Sequence, residues 1–118
     1  MLDDLTKSAA ARLTLPLADV PEAQRIAGVP RTGATKLGDF GGVTVGVWEM
    51  TPGTMRDVEI DEVFVVLHGA GTVEFADGAI TRLEPGDVVR LHAGQHTVWT
   101  VSETLRKVYL AHRPASGG

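Results

Sequence analysis

The sequence contains no cysteine, few aromatic residues and no surplus of basic residues. Without cysteine, a disulfide scaffold, a thiolate zinc site and a cysteine nucleophile are all excluded. Lys and Arg number 11 against 15 Asp and Glu, which gives a net charge of −4. A net negative chain without a basic run is a poor match for a phosphate backbone, so we expect no nucleic-acid partner.

Long hydrophobic runs are also missing, and no apolar stretch reaches the length of a membrane span. The first residues, Met1-Leu2-Asp3-Asp4, lack the basic start and apolar core of a signal peptide. We therefore expect no membrane partner and a cytoplasmic location. With 118 residues, 43% of them hydrophobic and 22% charged, the chain has the composition of one folded globular domain.

Two unequal parts follow one another along the chain. Residues 1–37 are weakly patterned, and prolines interrupt any long regular element there. We interpret this part as an extended N-terminal arm, with room for a short helix near Leu5–Leu13 capped by an aspartate before it. Residues 38–113 form the predicted folded domain, and residues 114–118 form a predicted disordered tail.

Within the predicted domain, turn-forming residues recur about every ten residues between β-branched and aromatic runs. This spacing predicts an all-β fold, a single-domain antiparallel β-barrel or jelly roll of about eight strands. Asp77-Gly78 further predicts a hairpin with a type I′ turn that pairs Phe75 with Ile80. The predicted strands are 43–50, 62–67, 72–76, 79–83, 87–92, 96–101 and 105–111.

One predicted strand is apolar on both faces, because Val63, Val65 and Leu67 alternate with Phe64 and Val66. A sheet with one solvated face does not explain this pattern, so we expect the second face to be covered by another sheet or another subunit. An extended arm can also pair with the sheet edge of a neighbouring subunit. Together these features predict a homodimer.

A series of short motifs runs from about Gly46 to Leu110, over half of the chain. In order they are Gly46-Val47-Trp48-Glu49, Thr51-Pro52-Gly53, Glu62 followed by Gly69, Leu83-Glu84-Pro85-Gly86-Asp87, Trp99-Thr100-Val101 and Glu103-Thr104-Leu105-Arg106-Lys107-Val108-Tyr109. In this order and spacing the motifs resemble the cupins, and more narrowly the small single-domain cupins related to (S)-ureidoglycine aminohydrolase. The resemblance implies a cupin-like barrel that encloses a site for a small molecule.

The same resemblance implies a metal site of three histidines and one glutamate, of which only Glu62 is present. No histidine stands at the positions just before Glu62, and Thr97 takes the place of the third histidine. His96 comes one residue too early, and one residue along a strand changes the face. We therefore expect a degenerate metal site and no cofactor, with weak Mn²⁺ or Mg²⁺ binding by carboxylates as the open alternative.

Glu62 and His96 are the candidate catalytic residues. Glu62 opens an apolar strand, so it is either a solvated strand end or an inward carboxylate that acts as a ligand or general base. A lone buried carboxylate costs stability, so Glu62→Leu is expected to raise the melting temperature. His96 starts a strand near the same place and is either a rim histidine or an acid, base or ligand.

The candidate ligand-binding residues are two tryptophans, one tyrosine and two carboxylates: Trp48, Asp57, Glu59, Trp99 and Tyr109. The aromatic residues either pack in the core or form walls of the barrel interior with polar groups for a ligand. The two carboxylates belong to an acidic cluster with Asp61 and Glu62, which is either a solvated loop or a site for a hard cation.

Arg106 and Lys107 are adjacent, so they face opposite sides of a strand, and we interpret both as structural, with Glu103 as an expected partner. Two functions stay open. The first is a small-molecule-binding protein that holds a small polar metabolite in the barrel. The second is an enzyme of small-metabolite metabolism, of hydrolase, isomerase or lyase type, that uses Glu62 and His96. The missing histidines favour the first function, and the retained Glu62 with its acidic cluster supports the second.

Overall fold

The computed structural model describes residues 7–112, and every regular element within them is a β-strand. All strand pairings are antiparallel, which confirms the predicted all-β architecture. The described strands are β1 (Ala18–Asp19), β2 (Arg25–Ala27), β3 (Arg31–Phe40), β4 (Val43–Met50), β5 (Gly53–Val58), β6 (Asp61–Phe75), β7 (Ile80–Leu83), β8 (Val88–Leu91) and β9 (His96–His112).

The two longest strands, β6 and β9, organise the sheet. Strand β9 pairs with β4 and β5 on one side and with β6 on the other, and β6 also pairs with β7 and β8. The register of β6 shifts near Val66, His68 and Ala70, which are the β-bulges that bend the sheet. Gly69 adopts φ +98° among these bulges, where a Cβ would overlap the backbone of Thr104. The breaks predicted between strands 62–67 and 72–76 and between strands 96–101 and 105–111 are therefore wrong, since both segments lie inside continuous strands.

Four of the described strands, β1, β2, β3 and β5, are absent from the sequence prediction. Strand β3 pairs with β4 along its length and crosses position 37, the predicted boundary between the arm and the domain. The arm's short strands β1 and β2 pair with β3 and β5 of the same chain. Of the helix expected near Leu5–Leu13, the described part holds one turn, in which the Arg12 N–H donates to the Ala9 carbonyl over 2.9 Å. The expected capping aspartates lie outside the described residues, as does the tail at 114–118.

Strands β6 and β7 form the predicted hairpin with a different turn. Phe75 N–H donates to Ala79 O over 2.9 Å, so three residues rather than two lie between the paired ends. Gly78 has φ +89°, and no other residue of the turn has positive φ. This is the geometry of a three-residue loop with a G1 bulge, and the type I′ prediction is wrong. The extra residue shifts the register, so that Glu74 rather than Phe75 pairs with Ile80.

The hydrophobic core lies on the inner face of the curled sheet, and Trp99, Phe64 and Met50 are the largest fully buried side chains. Alternation along β6 sends Glu62 and Phe64 inward, whereas Val63 and Val65 are half-buried on the outer face. Among the described residues, no helix has the length and apolar character to span a membrane.

The outer face carries a buried ion pair at the middle of the sheet. Arg106 Nη2 lies 2.7 Å from Glu49 Oε1, and Arg106 Nη1 donates to the Ala10 carbonyl over 3.0 Å. The N-terminal arm is thereby attached to β9. Arg106 is thus buried against a carboxylate as expected, but that carboxylate is Glu49, whereas Glu103 is exposed.

Candidate functional site

A cavity of about 320 Å³ opens on the inner face of the sheet. Strands β3, β4, β5, β6 and β9, together with the loop before β6, supply its wall. The structure brings together six of the seven candidate residues named from the sequence and adds one lysine that was assigned a structural role: Trp48, Asp57, Glu59, Glu62, Trp99, Tyr109 and Lys107.

Lys107 and Glu62 form a buried ion pair in this wall. Lys107 Nζ lies 2.6 Å from Glu62 Oε2, and the two side chains are 6% and 9% exposed. The ammonium is also 4.2 to 4.8 Å from the ring centroids of Trp48, Phe64 and Trp99. Three aromatic faces and one carboxylate therefore replace the water that a free ammonium would hold.

Glu59 is a second buried carboxylate, and it is fixed by two donors. Its Oε2 accepts hydrogen bonds from Thr97 Oγ1 at 2.6 Å and from Trp99 Nε1 at 2.9 Å. Its backbone is held as well, because Glu59 N–H donates to Gln95 O and Gly94 N–H donates to Glu59 O. Thr97 stands where the cupin resemblance implies a histidine, and here it orients a carboxylate.

Asp57 is half-buried at the edge of the same cavity. Burial raises the pKa of its carboxyl, and the nearby Glu59 charge raises it further, against the opposing effects of the Val58 N–H and of Lys107. The Val58 N–H donates to Asp57 Oδ1 over 2.8 Å. Asp57 is therefore a weaker acid than a solvated aspartate and can exchange a proton at a higher pH.

Asp57 should make the fold less stable as the pH rises. Because its pKa is higher in the folded state than in the unfolded state, the folded state binds more protons between the two values, and stability falls as pH rises through that range. Asp57→Asn keeps the carbonyl that accepts from Val58 and removes this titration. We expect the stability gained in Asp57→Asn to grow in urea unfolding experiments as the pH rises above the ordinary pKa of an aspartate.

Asp61 supplies a control of opposite sign. The Ala93 N–H that donates to Asp61 and the nearby Arg90 guanidinium hold the pKa of Asp61 below its ordinary value. Asp61→Asn is therefore expected to lose stability at neutral pH, and this loss should shrink as the pH falls through the pKa of Asp61. If the change in free energy of unfolding had the same pH dependence in both variants, the opposite pKa shifts of Asp57 and Asp61 would be contradicted.

His96 lies on the opposite face of the sheet from this cavity. It pairs with Val58 at the start of β9 and is exposed, whereas its neighbour Thr97 points inward and is buried. His96 lines a separate, open cavity of about 780 Å³ with Arg56 and Val98 among its neighbours. Asp57 lines both cavities, so it is the candidate residue that lies between them.

The residues of the inner cavity do not fit the metal site that the cupin resemblance implies. Within residues 7–112 no group of three or more His, Cys, Asp or Glu side chains could hold a metal ion. No histidine lines the inner cavity. Of its carboxylates, Glu62 is paired with an ammonium and Glu59 is bonded to a hydroxyl and an indole. The donor set therefore favours organic ligands over a transition metal.

Lys107 is the site residue that sequence reasoning missed. Counting in twos along β9 from Trp99 places Lys107 and Tyr109 on the same face as the tryptophan. That alternation was available in the sequence. The interpretation of Arg106 and Lys107 as a structural pair treated the two residues alike, whereas Lys107 lines the inner cavity and Arg106 lies on the outer face.

A curled antiparallel sheet with a side-chain-lined cavity on its inner face defines the protein as a cupin. Residues 37–109 match the family described as the EutQ-like cupin domain, which is more than half of the chain. The chain belongs to this family.

Solved structures show the same fold at low sequence identity. A protein of unknown function from Pseudomonas syringae has a TM-score of 0.73 and 21% identity over 85% of this chain, which spans only 45% of that protein. The EutQ protein of Clostridium difficile has a TM-score of 0.62 and 18% identity over 80% of each chain. Ectoine synthase from P. lautus has a TM-score of 0.61 and 17% identity, covering 84% of this chain and 71% of the synthase. No curated protein matches the chain.

Proposed function

We propose that the chain is a small-molecule-binding cupin that takes a small polar metabolite into the inner cavity. One observation carries the proposal: three charged side chains, Glu59, Glu62 and Lys107, are each at least nine-tenths buried and all line that cavity. Buried charges contribute less to stability than apolar side chains of similar size would. Their convergence on an aromatic-walled cavity is typical of a ligand site.

The shape and chemistry of the cavity limit the ligand. A volume of about 320 Å³ is at the lower end of ligand sites, which favours a metabolite of few heavy atoms. Trp48 and Trp99 supply flat apolar area, and the carboxylates accept hydrogen bonds from N–H or O–H groups. A small molecule with both an apolar part and hydrogen-bond donors suits this combination.

Filling the cavity should abolish binding without unfolding the protein. Ala111 is 3% exposed and lines the cavity, so Ala111→Leu places a larger side chain where the ligand would lie. We expect indole fluorescence titrations with small amines, amino acids and hydroxy acids to identify a ligand of the wild type. Its affinity should fall at least about tenfold in Ala111→Leu.

The control for this titration is Ile80→Ser, a change at an exposed side chain of β7 that does not line the cavity. This variant should bind as the wild type does. A ligand that binds Ala111→Leu as tightly as the wild type would place the binding site elsewhere. The absence of any ligand in a broad metabolite panel would contradict the proposed function.

A second candidate function is an enzyme of small-metabolite metabolism, and Asp57 is the observation that favours it. A carboxyl with a raised pKa beside a second carboxylate is the arrangement that acid–base catalysis uses. The resemblance to the small cupins related to (S)-ureidoglycine aminohydrolase supports this second candidate, since that resemblance implies a hydrolytic reaction. His96 is remote from the inner cavity, so an acid–base pair there would be Asp57 with Glu59 or Glu62. Weak Mn²⁺ or Mg²⁺ binding by these carboxylates remains part of this second candidate.

The proposal extends to a homodimer formed through the outer face of the sheet. Val65 on β6 lies between Val88 of β8 and Val108 of β9, and the adjacent row places Val63 beside Leu110. This apolar face spans neighbouring strands, and Val88 is 67% exposed. Because the face is continuous and carries the same side chains on each copy, a second copy of the chain can cover it about a two-fold axis.

Sedimentation at micromolar concentration is expected to give the mass of a dimer. Val88→Glu puts a charge into the apolar face and should shift the equilibrium to the monomer. Ile80→Glu, at a side chain that is 62% exposed on another strand, should leave the dimer intact. A wild-type monomer at this concentration would refute the proposed dimer.

A further inference from the structure

The surroundings of Lys107 Nζ have the composition of a cation-binding site. One carboxylate oxygen, from Glu62, lies 2.6 Å away, and three aromatic rings lie within 4.8 Å. Each ring presents a negative face to a nearby cation. The lysine is 5% exposed, so the ammonium has little contact with bulk water.

The strand register explains how the ammonium reaches this position. Lys107 on β9 lies directly opposite Trp48 on β4 and opposite Val66 on β6. Its side chain extends along the inner face toward Glu62, four residues before Val66 on the same strand. The flexible four-carbon stem packs on the aromatic core while the charge reaches the carboxylate.

The cupin resemblance implies a metal where Glu62 lies, and the residues present disagree with that implication. The carboxylate that would bind the metal is bonded to an ammonium, and Thr97, at the position of the third histidine, donates to Glu59. A divalent cation bound by Glu62 would lie within a few ångströms of Lys107, where repulsion between like charges opposes it.

We infer that Lys107 takes the place of a metal ion in this barrel. Its ammonium is the cation of the cavity, which neutralises Glu62 and prevents divalent ions from binding there. The inference holds whether or not the cavity binds a metabolite, so it is tested separately from the proposed function.

Removal of the ammonium should create a cation site. In Lys107→Ala, the Glu62 carboxylate faces the vacated volume together with the three aromatic rings. The atoms removed by this substitution correspond to n-propylammonium. That ion should therefore bind the variant and raise its melting temperature, whereas 1-propanol, which has the same size and no charge, should not.

The test uses untagged protein and two probes, Mn²⁺ followed by electron paramagnetic resonance and n-propylammonium followed by thermal unfolding. Lys107→Ala is expected to bind Mn²⁺ roughly tenfold or more tightly than the wild type and to gain stability from n-propylammonium. Glu62→Gln added to Lys107→Ala should abolish both effects. Lys36→Ala, which removes an exposed lysine paired with Asp39, should behave as the wild type.

The following results decide whether the inference holds. Wild-type protein that binds Mn²⁺ in a manner lost in Glu62→Gln would overturn the inference. A folded Lys107→Ala that binds neither probe would overturn it as well. If Lys107→Ala folds only when n-propylammonium is present, that dependence supports the inference. If Lys107→Ala does not fold at all, Lys107→Gln takes its place, and it should bind Mn²⁺ more tightly than the wild type for the inference to hold. A metabolite that binds the wild type leaves each of these outcomes unchanged.

Discussion

Lys107→Met is expected to destabilise the protein by about 3–5 kcal/mol, because it leaves the Glu62 carboxylate buried without its partner. Glu62→Leu should cost a similar amount, since the Lys107 ammonium then has no counter-charge. The double variant carries neither charge, so its stability should equal or exceed that of the wild type. Urea unfolding of the four proteins gives these free energies directly.

The matched control is the exposed pair of Lys36 and Asp39, whose atoms are 2.7 Å apart and whose side chains are each 47% exposed. Lys36→Met should change the free energy of unfolding by less than about 1 kcal/mol, because solvent screens a surface pair. If Lys107→Met costs no more than this control, the buried pair does not stabilise the fold.

This expectation reverses the one drawn from the sequence. A lone buried carboxylate is costly, so Glu62→Leu alone was expected to raise the melting temperature. The structure gives that carboxylate a lysine partner 2.6 Å away, and removing one member of a buried pair orphans the other. The two cases differ in sign, and only the position of Lys107 decides between them.

Trp99→Ala is expected to be the second large loss, about 3–5 kcal/mol. Trp99 is 1% exposed, contacts the rings of Trp48 and Phe64, and donates its Nε1–H to Glu59. Truncation would open a void in the core and remove a donor from a buried carboxylate. Urea unfolding with tryptophan fluorescence from Trp48 would measure the loss.

Trp99→Phe separates these two contributions, because phenylalanine keeps much of the ring and lacks the N–H. We expect this variant to lose about 1–3 kcal/mol, the cost of removing one of the two hydrogen bonds to a buried carboxylate. Trp48→Phe, at a half-buried ring, should cost less. A Trp99→Phe variant as stable as Trp48→Phe would show that the bond to Glu59 does not contribute.

The sequence predicts strands well where β-branched residues alternate and poorly where glycine interrupts them. Strand β3 contains two glycines and a lysine and has one solvated face, so its pattern is weak, although it pairs with β4 throughout. In β6 the Gly69–Gly71 segment has the composition of a turn and is a set of bulges. A bulge and a turn use the same residues, and only the pairing partner distinguishes them.

The candidate site was predictable as far as local alternation determines it. Glu62 faces inward because it shares parity with Phe64, and Trp99 faces inward by the same rule. The local pattern does not show which residues of distant strands are in contact. The bond from Trp99 to Glu59 joins residues 40 positions apart, and the pair of Glu62 and Lys107 joins residues 45 positions apart. Both depend on the register of β9, which bulges set.

The two adjacent cations on β9 also help to fix the register in which that strand pairs with its neighbours. A slip of one residue would exchange Arg106 and Lys107 between the faces, and each face offers a carboxylate, so charge alone would tolerate the error. The number of hydrogen-bond acceptors on each face, however, disfavours the slipped register. The outer face gives the five-donor guanidinium both Glu49 and the Ala10 carbonyl, whereas the inner face offers one carboxylate and three rings, which suit a compact ammonium. Two consecutive side chains of β9, Arg106 and Lys107, therefore favour the observed register over a register shifted by one residue.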